Sequence, residues 1–283
     1  MIRIATDSCN DLSKEQIQEK NIAVMPLSVI LGEKEYFDGE NISPKDIFDY
    51  VAETGVLPKT AARSVEDYKA FFEELTKNGD EVIFIGISSF LSASYRNILE
   101  AKKSLKNNNI YVLDSLSLST GIGLQVLYAA SLVKQGLKAG EIYYKLIDQS
   151  KHIQASFVVD KLDYLYKGGR CSAMARFGAN VLKIKPRLEL VSGKIENTGK
   201  YLGNLRGVLK KYVDDMLSLH PDYVDDICFV THTCLDEKLP QEIADYVRSK
   251  NIFKEVVITT AGSTITSHCG PNTLGILYKT KVQ

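Results

Sequence analysis

The chain of 283 residues has the length of about two ordinary domains. Hydrophobic residues make up 45% and charged residues 25% of it, which is typical of a globular protein and excludes a disordered or fibrous chain. The 35 basic and 35 acidic side chains balance, so no overall charge attracts nucleic acid, and no apolar run is long enough for a membrane helix.

The N-terminal sequence and the cysteines indicate a cytoplasmic protein. Residues 1–7 enter a strand pattern directly, without the basic and long apolar regions of a secretory signal. The five cysteines are scattered and form no C-x-x-C pair, so we expect reduced thiols. We therefore expect a cytoplasmic location, no nucleic-acid partner and no stable membrane insertion.

Strand and helix patterns alternate through the first half of the chain. The predicted strands are residues 2–5, 22–31, 81–87 and 110–113. Helices are predicted after the N-cap residues Ser13, Ser43 and Ser64, and over 97–105 and 121–132. The connections are long enough for parallel pairing, so we expect a doubly wound, Rossmann-like parallel sheet.

The second half predicts a different arrangement. Its predicted strands are residues 153–159, 186–190, 194–197, 226–231, 256–260 and 275–280. Its predicted helices are 162–170, 206–219 and 240–249. We expect an α/β protein of two domains, with a Rossmann-like domain over 1–150, a smaller mixed-sheet α/β domain over 151–283, and the ligand between them.

Polar residues follow three strands of the first half, at 6–8, 88–89 and 114–115. Open α/β sheets bind ligands outside these strand ends, so this edge is the candidate site. Residues 88–95 are especially rich in hydroxyls and lead into a helix, where an anion could bind. Ordinary helix N-capping by serine is the alternative interpretation.

Residues 259–271 place hydroxyls, glycine and His268 between two predicted strands. A long polar loop is a frequent position for function, and a histidine there can hydrogen-bond a carboxylate or act as an acid or base. A turn whose hydroxyls bond the local backbone is the alternative. Similarly, residues 167–170 offer glycine backbone beside the Arg170 guanidinium, which suits an anion and equally suits a helix C-cap.

Several catalytic signatures are missing from the sequence. The G-x-S-x-G elbow, the dinucleotide fingerprint and the P-loop are all incomplete or absent. Cys228, His232 and Cys234 resemble zinc ligands, but no fourth ligand lies nearby, so we predict no metal and no cofactor. Spacing alone thus indicates a two-domain α/β protein that binds a small anion.

Five blocks in order resemble the DegV family of bacterial proteins over the whole length of the chain. The blocks are Ile4-Ala5-Thr6-Asp7-Ser8 with Asp11-Leu12, Ile87-Ser88-Ser89-x-Leu91-Ser92, Val112-Leu113-Asp114-Ser115, Leu162-x-x-Leu165-x-x-Gly168-Gly169-Arg170, and His268-x-Gly270-Pro271. The resemblance implies a fatty-acid-binding subunit of a fatty acid kinase, with an acyl chain in a tunnel.

The resemblance also implies which residues bind the ligand. The carboxylate would be held by Thr60 and Ser92 with the backbone of Ala93, and His268 would lie near this head group. Arg170 and Arg206 match basic positions associated with the head-group region or with docking of the kinase. Both belong to residues 161–211, a segment with twelve basic and three acidic side chains. This segment is either a docking surface or a solvated cationic face.

The chain departs from the family pattern at three positions around these contacts. Ala61 replaces a hydroxyl, Arg63 adds a charge, and Ala93 stands where glycine is usual. We therefore expect head-group geometry or ligand preference to differ from that of the family.

These observations predict a cytoplasmic carrier. It would bind one long-chain fatty acid and present the carboxylate to a separate ATP-dependent kinase, without catalytic residues of its own. The alternative is a small-molecule hydrolase or transferase that uses Ser92 or Ser89 with His268. A sensor that changes partners with lipid occupancy is a third possibility.

Overall fold

The structure is a computed structural model that describes residues 1–170 and 184–281. Within these residues the chain forms three β-sheets surrounded by α-helices. The strands are β1 (Ile2–Asp7), β2 (Ala23–Met25), β3 (Ser28–Leu31), β4 (Lys34–Phe37), β5 (Lys59–Ala61), β6 (Glu81–Gly86), β7 (Ile110–Asp114), β8 (Ile153–Val158), β9 (Ile184–Val191), β10 (Lys194–Leu202), β11 (Tyr223–His232), β12 (Glu255–Thr260) and β13 (Leu274–Thr280). The helices are α1 (Lys14–Glu19), α2 (Pro44–Thr54), α3 (Val65–Thr76), α4 (Ser94–Leu105), α5 (Thr120–Lys134), α6 (Ala139–Gln149), α7 (Asp163–Lys167), α8 (Leu205–Leu219), α9 (Lys238–Arg248) and α10 (Ser263–Cys269).

The first half forms a four-stranded parallel sheet in the order β2-β1-β6-β7. Successive side chains of a strand point to opposite faces, and β6 is apolar on both. Val82 and Phe84 pack with residues of α3 and α4, whereas Ile83 and Ile85 pack with residues of α5 and α6. Helices therefore cover both faces, which confirms the doubly wound arrangement predicted from the sequence.

The second half forms a six-stranded mixed sheet in the order β10-β9-β8-β13-β11-β12. Its neighbours pair antiparallel except β11 and β12, which pair parallel. Side chains of α8 and α9 pack on one face, and Leu124 of α5 packs on the other with Phe229. Helix α5 also packs on the parallel sheet and therefore lies between the two sheets. The division of the chain near residue 150 stays a prediction.

Two segments near the site have a structure that the sequence patterns missed. The strands β4-β3-β5 form a small antiparallel sheet, so Thr60 lies on a strand where the sequence patterns predicted none. The predicted loop over 259–271 contains helix α10. Its hydroxyls mislead the prediction because they bond backbone of the same segment, as when Ser267 Oγ donates to Ser263 O at 2.7 Å.

The described residues hold neither a membrane-spanning helix nor a metal-binding cluster. Among residues 1–170 and 184–281, no helix combines the length and the hydrophobicity needed to cross a bilayer. The same residues contain no group of three or more histidine, cysteine or acidic side chains placed to hold a metal ion.

Candidate ligand cavity

A cavity of about 210 Å³ lies beside the carboxyl ends of the parallel strands, between β5, the loop after β6 and α10. Most of its wall is apolar. The larger apolar side chains of the wall are Leu27, Ile87, Leu91, Leu118, Leu165, Ile195 and Ile265. Sites with this lining and a few polar groups suit an apolar ligand that carries one polar end.

The polar strand-end residues shape the loops around this cavity instead of lining it. Asp7, at the end of β1, accepts the N–H of Ile87 through Oδ2 at 2.7 Å and so holds the loop after β6. Asp114, at the end of β7, accepts the N–H of Ser89 through Oδ1 at 3.2 Å. These carboxylates fix the loop that brings Leu91 and Ser92 to the wall.

Thr60 and His268 meet on the cavity wall although 208 residues separate them in the chain. Thr60 Oγ1 and His268 Nε2 are 2.7 Å apart in a hydrogen bond. Burial, reinforced by the charge of Arg170, lowers the pKa of His268 to about 4, so its ring is neutral at pH 7. Its other nitrogen, Nδ1, has no hydrogen-bond partner among the described residues.

Gly168 is the residue that leaves room for the His268 ring. A Cβ atom at this position would lie 2.6 Å from His268 Nδ1 and 2.8 Å from the carbonyl oxygen of Tyr164. Such contacts are too short for any side chain, so Gly168, the first glycine of Gly168-Gly169-Arg170, is needed for the packing of His268.

Ser92 lies on the same wall, in the loop that enters α4. Its Oγ accepts the N–H of Ser94 at 3.1 Å and is 2.9 Å from Ser94 Oγ. Ser92 thus accepts the first N–H of α4, although it stands one residue before the N-cap position. Ala93, the N-cap residue of α4, makes no side-chain cap and also lines the cavity.

Arg170 marks the mouth of the cavity. Its Nη1 donates to Gly168 O at 2.6 Å and its Nε donates to Leu91 O at 3.3 Å. Arg170 also lines an open outer groove of about 390 Å³, together with Tyr95 and Arg96. Within residues 1–170 and 184–281, neither arginine forms an ion pair with a carboxylate.

The cavity is polar at this mouth and apolar at its inner end. Thr60, Ser92, Arg170 and His268 supply polar groups of the wall. On a side that shares no wall residue with the outer groove, a second cavity of about 30 Å³ shares Leu118, Ile265 and Cys269 with the first. We call these two parts the head-group end and the inner end.

Arg206 lies away from the cavity. It is half exposed on α8, where its Nη1 forms an ion pair with Glu242 at 2.8 Å and its Nη2 with Asp236 at 3.6 Å. Its contact with a partner stays a prediction.

The basic segment 161–211 is not one free cationic face among the described residues. Lys185 forms an ion pair with Asp160, and Arg187 lies 3.4 Å from Glu189. Arg176 and Lys183, two other members, lie outside the described residues.

The alternative nucleophile arrangement has little geometric support in the described residues. His268 bonds Thr60 and not Ser92, and no carboxylate orients its Nδ1. Ser89 is exposed and lines the outer groove, not the cavity. A nucleophilic serine needs a base within hydrogen-bond reach and a group that orients this base.

The three departures from the family pattern have different consequences for the cavity. Ala61 lines it, so its missing hydroxyl makes the wall more apolar. Arg63 turns to Asp67, with Nη2 at 3.1 Å from the carboxylate, and its guanidinium lies over the Phe37 ring. Ala93 has φ −71° and ψ −7°, a helical conformation that does not require glycine.

Comparisons with known proteins agree with this fold. A family model described as "Uncharacterised protein, DegV family" matches residues 1–281. A DegV domain-containing protein of Clostridium perfringens is 32% identical over 281 residues, which cover 98% of each chain. A solved fatty-acid-binding DegV family protein from Thermus thermophilus has a TM-score of 0.91 at 26% identity, and a stearic acid-binding protein from Eubacterium ventriosum has 0.86 at 26% identity. Both alignments cover 99% of each chain.

Proposed function

The chain belongs to the DegV family, and we propose that it is a cytoplasmic carrier of one long-chain fatty acid, whose carboxylate it presents to a separate kinase for acyl phosphate formation. The observation that supports this most directly is the polarity of the cavity, with an apolar wall along its length and polar side chains at its mouth. A fatty acid has the same division into tail and head group.

The apolar wall supplies the affinity in this proposal. Burying each methylene group of an acyl chain contributes about 0.8 kcal/mol, so a chain of sixteen carbons gains roughly 10 kcal/mol before ordering costs. The relatives from Thermus thermophilus and Eubacterium ventriosum bind fatty acids, and the second binds stearic acid. We infer that this chain takes a ligand of the same class.

The head-group end orients the ligand. The hydroxyls of Thr60 and Ser92 and the N–H of Ala93 would donate to the carboxylate, and hydrogen bonds to a charged acceptor are strong. In the tautomer with its proton on Nε2, neutral His268 donates to Thr60 Oγ1 and leaves the hydroxyl proton of Thr60 free for the ligand. Arg170 adds a positive charge beside them.

The outer groove gives a phosphate group a place next to the bound carboxylate. Ser92, Ala93 and Arg170 line both the cavity and this groove, so a group attached to the carboxylate would extend into the groove. Arg170 and Arg96 would face its negative charge there. ATP and the transfer machinery would come from the kinase, because the sequence contains no P-loop.

Mass spectrometry under native and then denaturing conditions tests the carrier function. We expect one long-chain fatty acid per purified chain. In a transfer assay with lipid vesicles, Thr60→Ala and Ser92→Ala should each release the fatty acid about tenfold faster than wild type, since each removes a hydrogen bond to a charged group. Ser89→Ala is the matched control, because Ser89 lies on the outer groove and should leave release unchanged.

Two results would contradict the carrier function. One is a purified protein without lipid that also takes up none from vesicles. The other is labelling of Ser92 or Ser89 by a fluorophosphonate probe, which would indicate the hydrolase instead. The kinase step has its own assay: with a fatty acid kinase subunit and ATP, hydroxylamine should trap the bound acid as a hydroxamate, and less of it from Arg96→Ala.

A further inference from the structure

The start of helix α10 is held by two carboxylates from the other end of the chain. Asp38 accepts the N–H of Ser263 through Oδ1 at 2.7 Å and the N–H of Thr264 through Oδ2 at 3.0 Å. Asp11 accepts the N–H of Gly262 through Oδ1 at 2.8 Å. Three consecutive backbone donors of α10 thus depend on residues more than 220 positions away.

Burying two carboxyl groups is costly unless their oxygens are hydrogen-bonded. Asp11 is 6% exposed and Asp38 is 4% exposed, and neither forms an ion pair within residues 1–170 and 184–281. Gly262 leaves space for both, because a Cβ atom there would lie 3.2 Å from Asp38 Oδ1 and 3.3 Å from Asp11 Oδ1.

The backbone near Asp11 is also strained. Ser119 has φ +54° and ψ −144°, an unfavourable conformation for a residue with a side chain, and its Oγ donates to Asp11 Oδ2 at 2.5 Å. Such costs persist only where the surrounding structure requires them, so the contacts at the start of α10 need a reason beyond local capping.

That reason is the set of side chains that α10 contributes to the cavity wall. This helix of seven residues contributes Thr264, Ile265, His268 and Cys269 to the cavity wall. A helix this short is not stable by itself, so its position depends on its anchors. The bond between Thr60 Oγ1 and His268 Nε2 is 2.7 Å long and is lost beyond about 3.5 Å, so a shift of α10 by about 1 Å would break it.

We propose that Asp38, together with Asp11, is a positioning residue for ligand binding, which holds α10 so that His268 meets Thr60 at the head-group end. Neither carboxylate lines the cavity, so both act through the helix. The ligand readout of this inference rests on the proposed function, whereas its spectroscopic readout does not.

The first test measures fatty acid release from Asp38→Asn and Asp38→Ala. The asparagine keeps one acceptor oxygen for the two N–H groups and the alanine keeps none, so we expect release to accelerate about fivefold and about twentyfold, respectively. Asn204→Ala is the matched control: Asn204 caps α8 by accepting the N–H of Gly207 at 2.9 Å, and α8 lines no part of the cavity. It should lower the melting temperature without changing release.

The second test follows the His268 ring by NMR in ligand-free protein. In both Asp38 variants we expect the pKa of His268 to rise from about 4 towards its ordinary value near 6.5, because a displaced α10 exposes the ring to water. The control Asn204→Ala should leave this pKa unchanged. If Asp38→Ala does not fold, Asp38→Asn provides the same measurement.

The outcomes separate this inference from the proposed function. An unchanged His268 pKa and unchanged release in folded Asp38 variants would overturn the positioning role while the carrier function stands. A wild-type protein that holds no fatty acid would overturn the carrier function, and the NMR result would still decide the role of Asp38. A further check is the double variant Asp38→Asn/His268→Gln, whose release should be no faster than about twice that of the faster single variant; multiplied effects would contradict a shared path.

Discussion

The two ends of the ligand cavity are built in different ways. The head-group end brings together single polar side chains of β5, the loop after β6 and α10, and its contacts depend on specific distances such as 2.7 Å between Thr60 Oγ1 and His268 Nε2. The inner end has apolar residues such as Leu118 and Ile265, whose contribution depends on buried area and not on direction. In the proposed carrier we therefore expect the inner end to supply affinity and the head-group end to supply orientation.

A series of fatty acids of increasing length tests this division with the largest expected effect. Each added methylene group should strengthen binding about fourfold until the cavity is filled, so acids of eight and sixteen carbons should differ by more than a thousandfold. The dissociation constants can be measured by displacement of a fluorescent fatty acid.

The same series of fatty acids measured on Thr60→Ala tests the head-group end separately. This substitution should weaken binding of every acid by about the same factor, since the lost hydrogen bond does not depend on the tail. An affinity that hardly changes with chain length, or a Thr60→Ala effect that grows with length, would contradict the division into two ends.

The pH dependence of stability separates the two ends next, because His268 titrates at the head-group end. Its pKa is about 4 in the folded protein and about 6.5 in the unfolded chain. A lowered pKa means that folding favours the neutral ring, so this stabilisation is complete above pH 6.5 and is lost as the pH falls towards 4. At the inner end, burial raises the pKa of Cys269 to about 12, so its thiol stays neutral across this range.

Urea unfolding of delipidated protein between pH 4 and pH 8 measures this effect. The free energy of unfolding of wild type is expected to exceed that of His268→Gln by about 3 kcal/mol less at pH 4 than at pH 6.5. Asp11→Asn is expected to show the opposite slope. Burial raises the pKa of Asp11 to about 8, so the stabilisation from its protonated form is complete near pH 4 and is lost as the pH rises towards 8. Parallel curves for wild type and His268→Gln would contradict the buried, neutral histidine.

Gly168→Ala should have a moderate effect confined to the head-group end. The added methyl group would collide with His268 Nδ1 and with the backbone oxygen of Tyr164, so the ring must shift and its hydrogen bond with Thr60 is disturbed. We expect release of fatty acid to accelerate about 10- to 50-fold. In the chain-length series the slope should stay that of wild type.

Gly169→Ala is the neighbouring control for this variant. A Cβ atom at Gly169 meets nothing within 4 Å, although its φ of +70° makes the substitution mildly strained. It should lower the melting temperature slightly and leave release unchanged. Equal release from both variants would show that the space beside His268 does not matter.

The sequence predicted the strands of the parallel sheet and the first three helices well because their patterns are local. The continuous apolar run of β6 and the capping serines Ser13, Ser43 and Ser64 identify elements without knowledge of the fold. Helix α10 escaped the prediction because its serines and threonines are typical of turns, and it is held by Asp11 and Asp38 from far along the chain.

The site was predictable in part: residue patterns indicated the segments that hold Ser92, Arg170 and His268, whereas Thr60 was predicted only through the resemblance. Thr60, Ser92, Ala93, Arg170 and His268 all line the cavity. The apolar wall comes from many separate segments, and no sequence pattern relates residues that meet only after folding. Nothing in the sequence around Asp38 shows that its partners are the backbone N–H groups of Ser263 and Thr264.

Ala93 is the departure from the family pattern with the smallest expected effect. Its backbone is already helical, so glycine would relieve no strain there and can adopt the same conformation. Ala93→Gly should therefore leave fatty acid release within about twofold of wild type and lower stability by about 0.5 to 1 kcal/mol, because glycine loses more conformational freedom on folding. Release assays and urea unfolding measure the two quantities. A release rate slowed tenfold or more would show that the alanine limits head-group contact, and would move Ala93 from a neutral departure to a determinant of how tightly this chain holds its ligand.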